Sequence, residues 1–229
     1  YNNRLKAYPS FKAEKPIRHY FCDGGIFVNR QNEVEAKEIA KQIEERLNHK
    51  NSIGIVAFSE EQLNCIWNNL SASTQGKLTS RIEENLAFFK ALENVQGDEC
   101  DHLLISLGFS KNEDNDLHHR FGPMNTASGR NRLNVLITRA KESISFYCSI
   151  KSTDFKLSSN ESVNLLRQWI QFSETYSESK NRTFPHGLLP IEKGNTLTFK
   201  SIQDKISSAK ELVTLQNVLN KRGWKVNYS

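Results

Sequence analysis

The chain has 229 residues, 37% hydrophobic and 25% charged, with a formal net charge of +5 and a pI near 9.0. That length holds one domain with an appendage, or two small domains. No apolar run approaches the ~20 residues of a membrane span, so no membrane-spanning helix is expected, and the basic balance permits a nucleic-acid partner without establishing one.

The chain begins at Tyr1 rather than Met and carries no apolar signal core, which points to a piece of a larger protein. Its four cysteines, Cys22, Cys65, Cys100 and Cys148, are far apart and form no CxxC pair. Reduced thiols in a cytoplasmic protein fit that pattern better than disulfides or zinc. His118 and His119 are adjacent, and adjacent side chains rarely converge on one ion, so no metal role is assigned to them.

Residues 1–18 are polar and basic, with Pro9 and Pro16, and read as a linker. A short strand is expected at 19–22 and a turn at 23–25. Asn32 then caps a helix whose apolar stripe of Val34, Ala36, Ile39, Ala40, Ile43 and Leu47 runs to about residue 48. Residues 53–58, IGIVAF, form a continuous apolar run, the mark of a strand covered on both faces. Ser59 caps a second helix to residue 70, and a third is expected over 78–92. A turn at 94–101 leads to another buried strand at 102–107. Residues 108–131 form a long polar loop, of the kind that is usually functional or mobile.

Residues 131–141, NRLNVLITRAK, have helical periodicity, with Leu133, Leu136, Ile137 and Ala140 on one stripe and Arg132, Arg139 and Lys141 off it. The β-branched and aromatic run that follows, to Ile150, reads as a strand. Strands alternating with helices imply an α/β fold with a parallel, doubly wound sheet. An amphipathic helix is expected at 163–172, an irregular stretch at 173–195, a helix at 202–219 and a strand at 224–228.

Two apparent phosphate motifs fail. Gly76 and Lys77 are followed by Leu78 instead of Ser or Thr, and no glycine precedes them at P-loop spacing. Asp98 and Glu99 resemble an acidic magnesium box, but they precede a strand, whereas such a box follows one. The chain therefore lacks Walker A and B elements and is not expected to hydrolyse ATP alone. It retains what a domain completing another domain's ATP site would need. Arg139 is the natural guanidinium for a γ-phosphate. Arg132, seven residues earlier, is placed on the same helix face. Periodicity alone favours a solvated basic face over this reading.

Three motifs change that balance. Residues 131–141 resemble motif VI of superfamily 1 helicases, closest to the 1B group of RNA-decay and replication type. Residues 95–107, VQGDECDHLLISL, resemble motif V of that group, and residues 53–62, IGIVAFSEEQ, resemble motif IV. They occur in family order, and residues 122–125, GPMN, resemble a bacterial branch. The resemblance covers residues 19–172 and implies a second RecA-like helicase domain, with 173–229 as linker and a further module. It implies Arg139 as arginine finger, and Gln96, Gly97, Glu99, Arg132 and Gln62 at the nucleotide cleft. ATP and Mg2+ are the implied cofactors, with the magnesium ligands on an N-terminal RecA-like domain of the same polypeptide. Single-stranded nucleic acid is the implied partner, DNA before RNA. Relatives often carry a second phosphate-sensing arginine after the motif IV glutamine, where this chain has Leu63, and an arginine where it has Asn131. Residues 202–228 resemble the opening of a restriction-like nuclease fold, with Glu211 in the early acidic position and the later carboxylates and lysine absent. The competing readings are a non-catalytic RecA-like binding module and a helicase–nuclease fusion.

Overall fold

Five short runs of apolar residues pair side by side, all parallel, in a computed structural model that describes residues 16–114, 116–117, 120–156 and 158–178. The strands are β1 (Ile17–Phe21), β2 (Ile53–Ala57), β3 (Ala87–Ala91), β4 (Cys100–Ser106) and β5 (Ala140–Cys148), in the order β1-β5-β4-β2-β3. Between and after them lie α1 (Glu33–Arg46), α2 (Glu60–Asn68), α3 (Ala72–Glu83), α4 (Gly129–Ile137) and α5 (Glu161–Glu178). This is the expected α/β, RecA-like arrangement.

Two apolar clusters, one on each face of the sheet, hold the layers together. Alternation along each strand sorts the side chains. Ile53, Ile55, Leu104 and Tyr147 face α1–α3 and meet Ile39, Ile43, Ile66 and Leu78. Val56, Leu103, Ile105, Ile144 and Phe146 face α4 and α5 and meet Leu133, Leu136, Leu166 and Ile170. Every residue of β2 is buried, as its sequence predicts. The edge strand β1 is tied to α5 where His19 bonds the hydroxyls of Ser173 and Ser177.

The helix starts follow their caps. The Asn32 side chain accepts from the Glu35 amide, that of Ser59 from the Gln62 amide, and that of Ser71 from the Thr74 amide. Gly76 and Lys77 fall inside α3, which removes them from any phosphate loop.

Residues 173–178, expected to open an irregular stretch, continue α5 as helix, and two further expectations are corrected. The single helix over 78–92 is in fact the end of α3 followed by β3. Asn85 takes the left-handed conformation (φ 57°) just past the helix, which ends it. Phe88 then packs on the α4–α5 face and Phe89 on the other, the two-sided pattern of a strand. The second correction concerns Arg139. Helix α4 stops at Ile137 with Thr138 as C-cap, and β5 begins at Ala140. Arg139 sits at the helix–strand junction and Lys141 on the strand, so Arg132 and Arg139 do not share a helix face. Residues 202–228, with Glu211, and His118 and His119 lie outside the described residues. Among those described, no helix is long and apolar enough to cross a membrane.

Candidate nucleotide-facing site

The site is built where residues 92–99, which lead into and open the motif V segment (95–107), run beside α4. The chain must return from the carboxyl end of β3 to the amino end of β4. It does so through a 3-10 turn at Leu92–Asn94, anchored by the buried Leu92 and Val95. Gln96 and Gly97 are exposed, and Gly97 has φ +95° with open space where a Cβ would stand.

Helix α4 grips this segment at both ends. Arg132 reaches Glu93 at 3.5 Å and donates to Thr126 Oγ1 at 3.1 Å and the Pro123 carbonyl at 3.4 Å. At the other end, Arg139 uses three nitrogens. Its Nε donates to the Val135 carbonyl at 2.9 Å, Nη1 to the Asp98 carbonyl at 3.1 Å, and Nη2 to Thr138 Oγ1 at 3.1 Å. The Arg139 carbonyl accepts from the Cys100 amide at 3.0 Å, which joins β5 to β4. Arg139 therefore closes the last turn of α4, whose carbonyls lack helical partners, and ties it to motif V.

The charges follow a rule. Each acid of the segment has its own cation: Glu93 with Arg132, Asp98 with Lys90 at 2.8 Å, and Glu99 with Lys141 at 2.7 Å. All three pairs are at least partly exposed, so each adds little to stability. The acceptors of Arg139 are all neutral.

Gln62 lies elsewhere. It is fully buried, and its amide pairs with the main chain of Asn32 in both directions, at 2.7 and 3.1 Å. Its Nε2 also donates to Ser106 Oγ at 3.0 Å. Leu63 beside it is in the core. The motif IV glutamine thus joins the starts of α1 and α2 to the end of β4, and the structure does not bring it together with Arg139.

Next to Gln62 is a polar centre that sequence reasoning missed. The buried carboxyl of Glu35 accepts from Ser106 Oγ (2.8 Å), the Gly108 amide (2.7 Å), Ser149 Oγ (3.1 Å) and Asn32 Nδ2 (3.2 Å). No cation is among these partners. Burial pushes its pKa up to about 7, although the four donors and the amino end of α1 oppose that rise. The spacing of Asn32 and Glu35 is that of a capping box, and this was the available signal.

At the carboxyl edge, the connection from β2 leaves toward β3 and that from β4 toward β5, so a topological switch lies between them. A crevice of about 660 Å³ opens there, lined by Phe27, Phe58, Phe109, Arg30, Arg120 and Glu93 among others. Arg30 comes from a tight turn with Asn29 and Arg30 both left-handed (φ 51° and 64°), and it pairs with Glu61 at 2.8 Å. Among the described residues, no three His, Cys, Asp or Glu side chains converge as metal ligands.

Residues 12–151 match a family described as an AAA domain. That is more than half of the chain, and the chain belongs to this family. It is 29% identical over 231 residues to an uncharacterized ATP-dependent helicase of Mycoplasma pneumoniae, covering 95% of this chain and 19% of that protein. An uncharacterized ATP-dependent helicase of Mycoplasma genitalium is 28% identical over 213 residues, covering 88% and 17%. The chain therefore spans less than a fifth of the relatives it matches. The helicase resemblance carried by motifs IV to VI is borne out: this is an ATP-dependent-helicase-like AAA domain.

Proposed function

We propose that this chain is the second motor domain of a cytoplasmic superfamily 1 helicase. In this reading it delivers Arg139 to the γ-phosphate of ATP held by a preceding RecA-like domain of the same polypeptide. The observation that carries it is the setting of Arg139. A guanidinium placed where motifs V and VI meet is held only by neutral acceptors, while Glu93, Asp98 and Glu99 are each matched to another cation. Such a residue fits an incoming anion, because leaving its present partners strands no buried carboxylate. Bound ATP would supply the phosphoryl group and its developing charge; Arg139 would stabilise that charge. The exposed Gln96 and Gly97, together with Glu99, border the same cleft, and Arg132 steadies it through Glu93. No residue here is assigned to magnesium, whose ligands belong to the preceding domain in this reading.

The carboxyl-edge crevice is the proposed seat of single-stranded DNA. Phe27, half-buried over Phe109, offers a ring, and Arg30 and Arg120 offer cations to the backbone. Gln62 acts there by holding the crevice's supporting elements together.

The test is Arg139→Ala in the full-length protein. ATP turnover should fall by about 10³-fold or more, with nucleotide affinity changed far less. Unchanged turnover would sink the reading. One observation favours the second reading, a non-catalytic binding module: the Arg139 side chain already bonds two main-chain carbonyls and the Thr138 hydroxyl of its own domain. The same variant decides between them.

A further inference from the structure

Asp98 shows its two kinds of oxygen to two different cations. Its main-chain oxygen accepts from Arg139 Nη1 at 3.1 Å, while both carboxylate oxygens lie 2.8 Å from Lys90 Nζ. A carboxylate is attached to its own main-chain carbonyl through two carbons. The Asp98 carboxylate is therefore within a rotamer change of the Arg139 guanidinium. Arginine and carboxylate form the stronger, two-pronged pair, so without a competitor Asp98 should turn to Arg139. Lys90 is that competitor.

We infer that Lys90 is a positioning residue for Arg139: by holding the Asp98 carboxylate, it keeps the guanidinium open to an anionic ligand. Lys90 projects from β3, an edge strand of the sheet. Its Nζ sits across both carboxylate oxygens, at 2.8 Å from each. Lys141 holds Glu99 in the same way at 2.7 Å, and Arg132 faces Glu93 at 3.5 Å. Glu93, Asp98 and Glu99 each face a cation other than Arg139, and Asp101 is held by the Ser52 amide and hydroxyl, so none of the four carboxylates is paired with the guanidinium. Were Asp98 to capture Arg139, the phosphate would have to displace a bidentate carboxylate first. The inference rests on Arg139 as the phosphate-facing residue, and its test separates the two.

In the full-length protein, Lys90→Met should lower the kcat for ATP hydrolysis at least tenfold with KM within about twofold. Lys90→Arg should keep most of the activity. Adding Asp98→Asn to Lys90→Met should restore kcat to within about threefold of the parent, because the competing carboxylate is gone. A pair that served only stability would show no such rescue. The nucleotide-free readout is the rate of Arg139 modification by phenylglyoxal, followed by peptide mass spectrometry. It should fall at least threefold in Lys90→Met and recover in the double variant. Unchanged kcat and modification in Lys90→Met, or a double variant as poor as the single, would overturn the inference. If Arg139→Ala abolishes turnover and Lys90→Met does nothing, only this inference falls. If Arg139→Ala keeps turnover, the phosphate reading falls, and the modification rates decide whether Lys90 guards the guanidinium.

Discussion

Arg139 and Asp98 touch without forming a salt bridge: the guanidinium holds the aspartate's main-chain oxygen at 3.1 Å, and the carboxylate turns to Lys90. Arg139 is thus a tie between the end of α4 and the start of β4. Arg139→Ala should lower stability by about 1–3 kcal/mol, the cost of charge-assisted bonds to main-chain carbonyls. Arg139→Lys should recover little of this, since an ammonium cannot reach the acceptors in the fixed fork. Urea denaturation of the three proteins checks both statements. No loss in the alanine variant would mean that the three bonds are idle.

Gly97 and Gly108 both have positive φ, yet their surroundings differ. A Cβ on Gly97 meets nothing, whereas one on Gly108 would lie 2.8 Å from Gln62 Cγ. Gly97→Ala should cost roughly 1–2 kcal/mol from backbone strain alone. Gly108→Ala should cost more, because Gln62 must shift and its amide bonds to Asn32 and Ser106 go with it. Melting midpoints rank the two, and equal losses would show that the Gln62 packing is soft.

Glu35 predicts a pH signature. Its folded pKa is raised to about 7, above the ~4.3 of an unfolded glutamate. The folded state therefore holds the proton more tightly. The stability this contributes is fully present below about pH 4 and is lost as pH rises through 7. The loss is on the order of 3 kcal/mol. Glu35→Gln should flatten this part of the stability profile between pH 5 and 8. A variant with the parent's slope would assign the pH dependence to another group.

Arg30 occupies a left-handed position that Gly would take without strain. Its ion pair with Glu61 is largely solvent-exposed. Arg30→Gly should raise stability by about 0.5–1 kcal/mol while weakening single-stranded DNA binding. Calorimetry and fluorescence anisotropy read the two effects. Loss of stability would show that the ion pair outweighs the strain.

The fold was legible wherever one periodicity ruled a segment. The all-apolar β2, the stripe of α1 and the serine and asparagine caps all led to the right elements. The stretch from Leu78 to Leu92 was harder, because Leu78, Ile82, Leu86 and Phe89 keep helical spacing across a strand. Only Asn85 and the Phe88–Phe89 pair marked the change. Arg139 was legible as the residue of interest, but its place was not. A strand that begins at Ala140 cannot be told from one that begins at Ser143 when the intervening residues suit either state. Gln62 carried no sign that it would be buried, since burial of an amide depends on partners 30 and 44 residues away. The Lys90–Asp98 pair, eight residues apart across a turn, has no periodic signature at all.

The four cysteines sit in four different places: Cys22 just past β1, Cys65 in α2, Cys100 at the head of β4 and Cys148 at the foot of β5. All are buried, and burial lifts the thiols of Cys22, Cys65 and Cys100 to about 12 and that of Cys148 well above its usual value. Folded, they should be inert to alkylation. Each becomes reactive only when its own element opens, so the native sequence already carries four built-in clocks. Pulse labelling would time the opening of the amino edge beside Arg139, through Cys100, separately from that of the opposite edge, through Cys148.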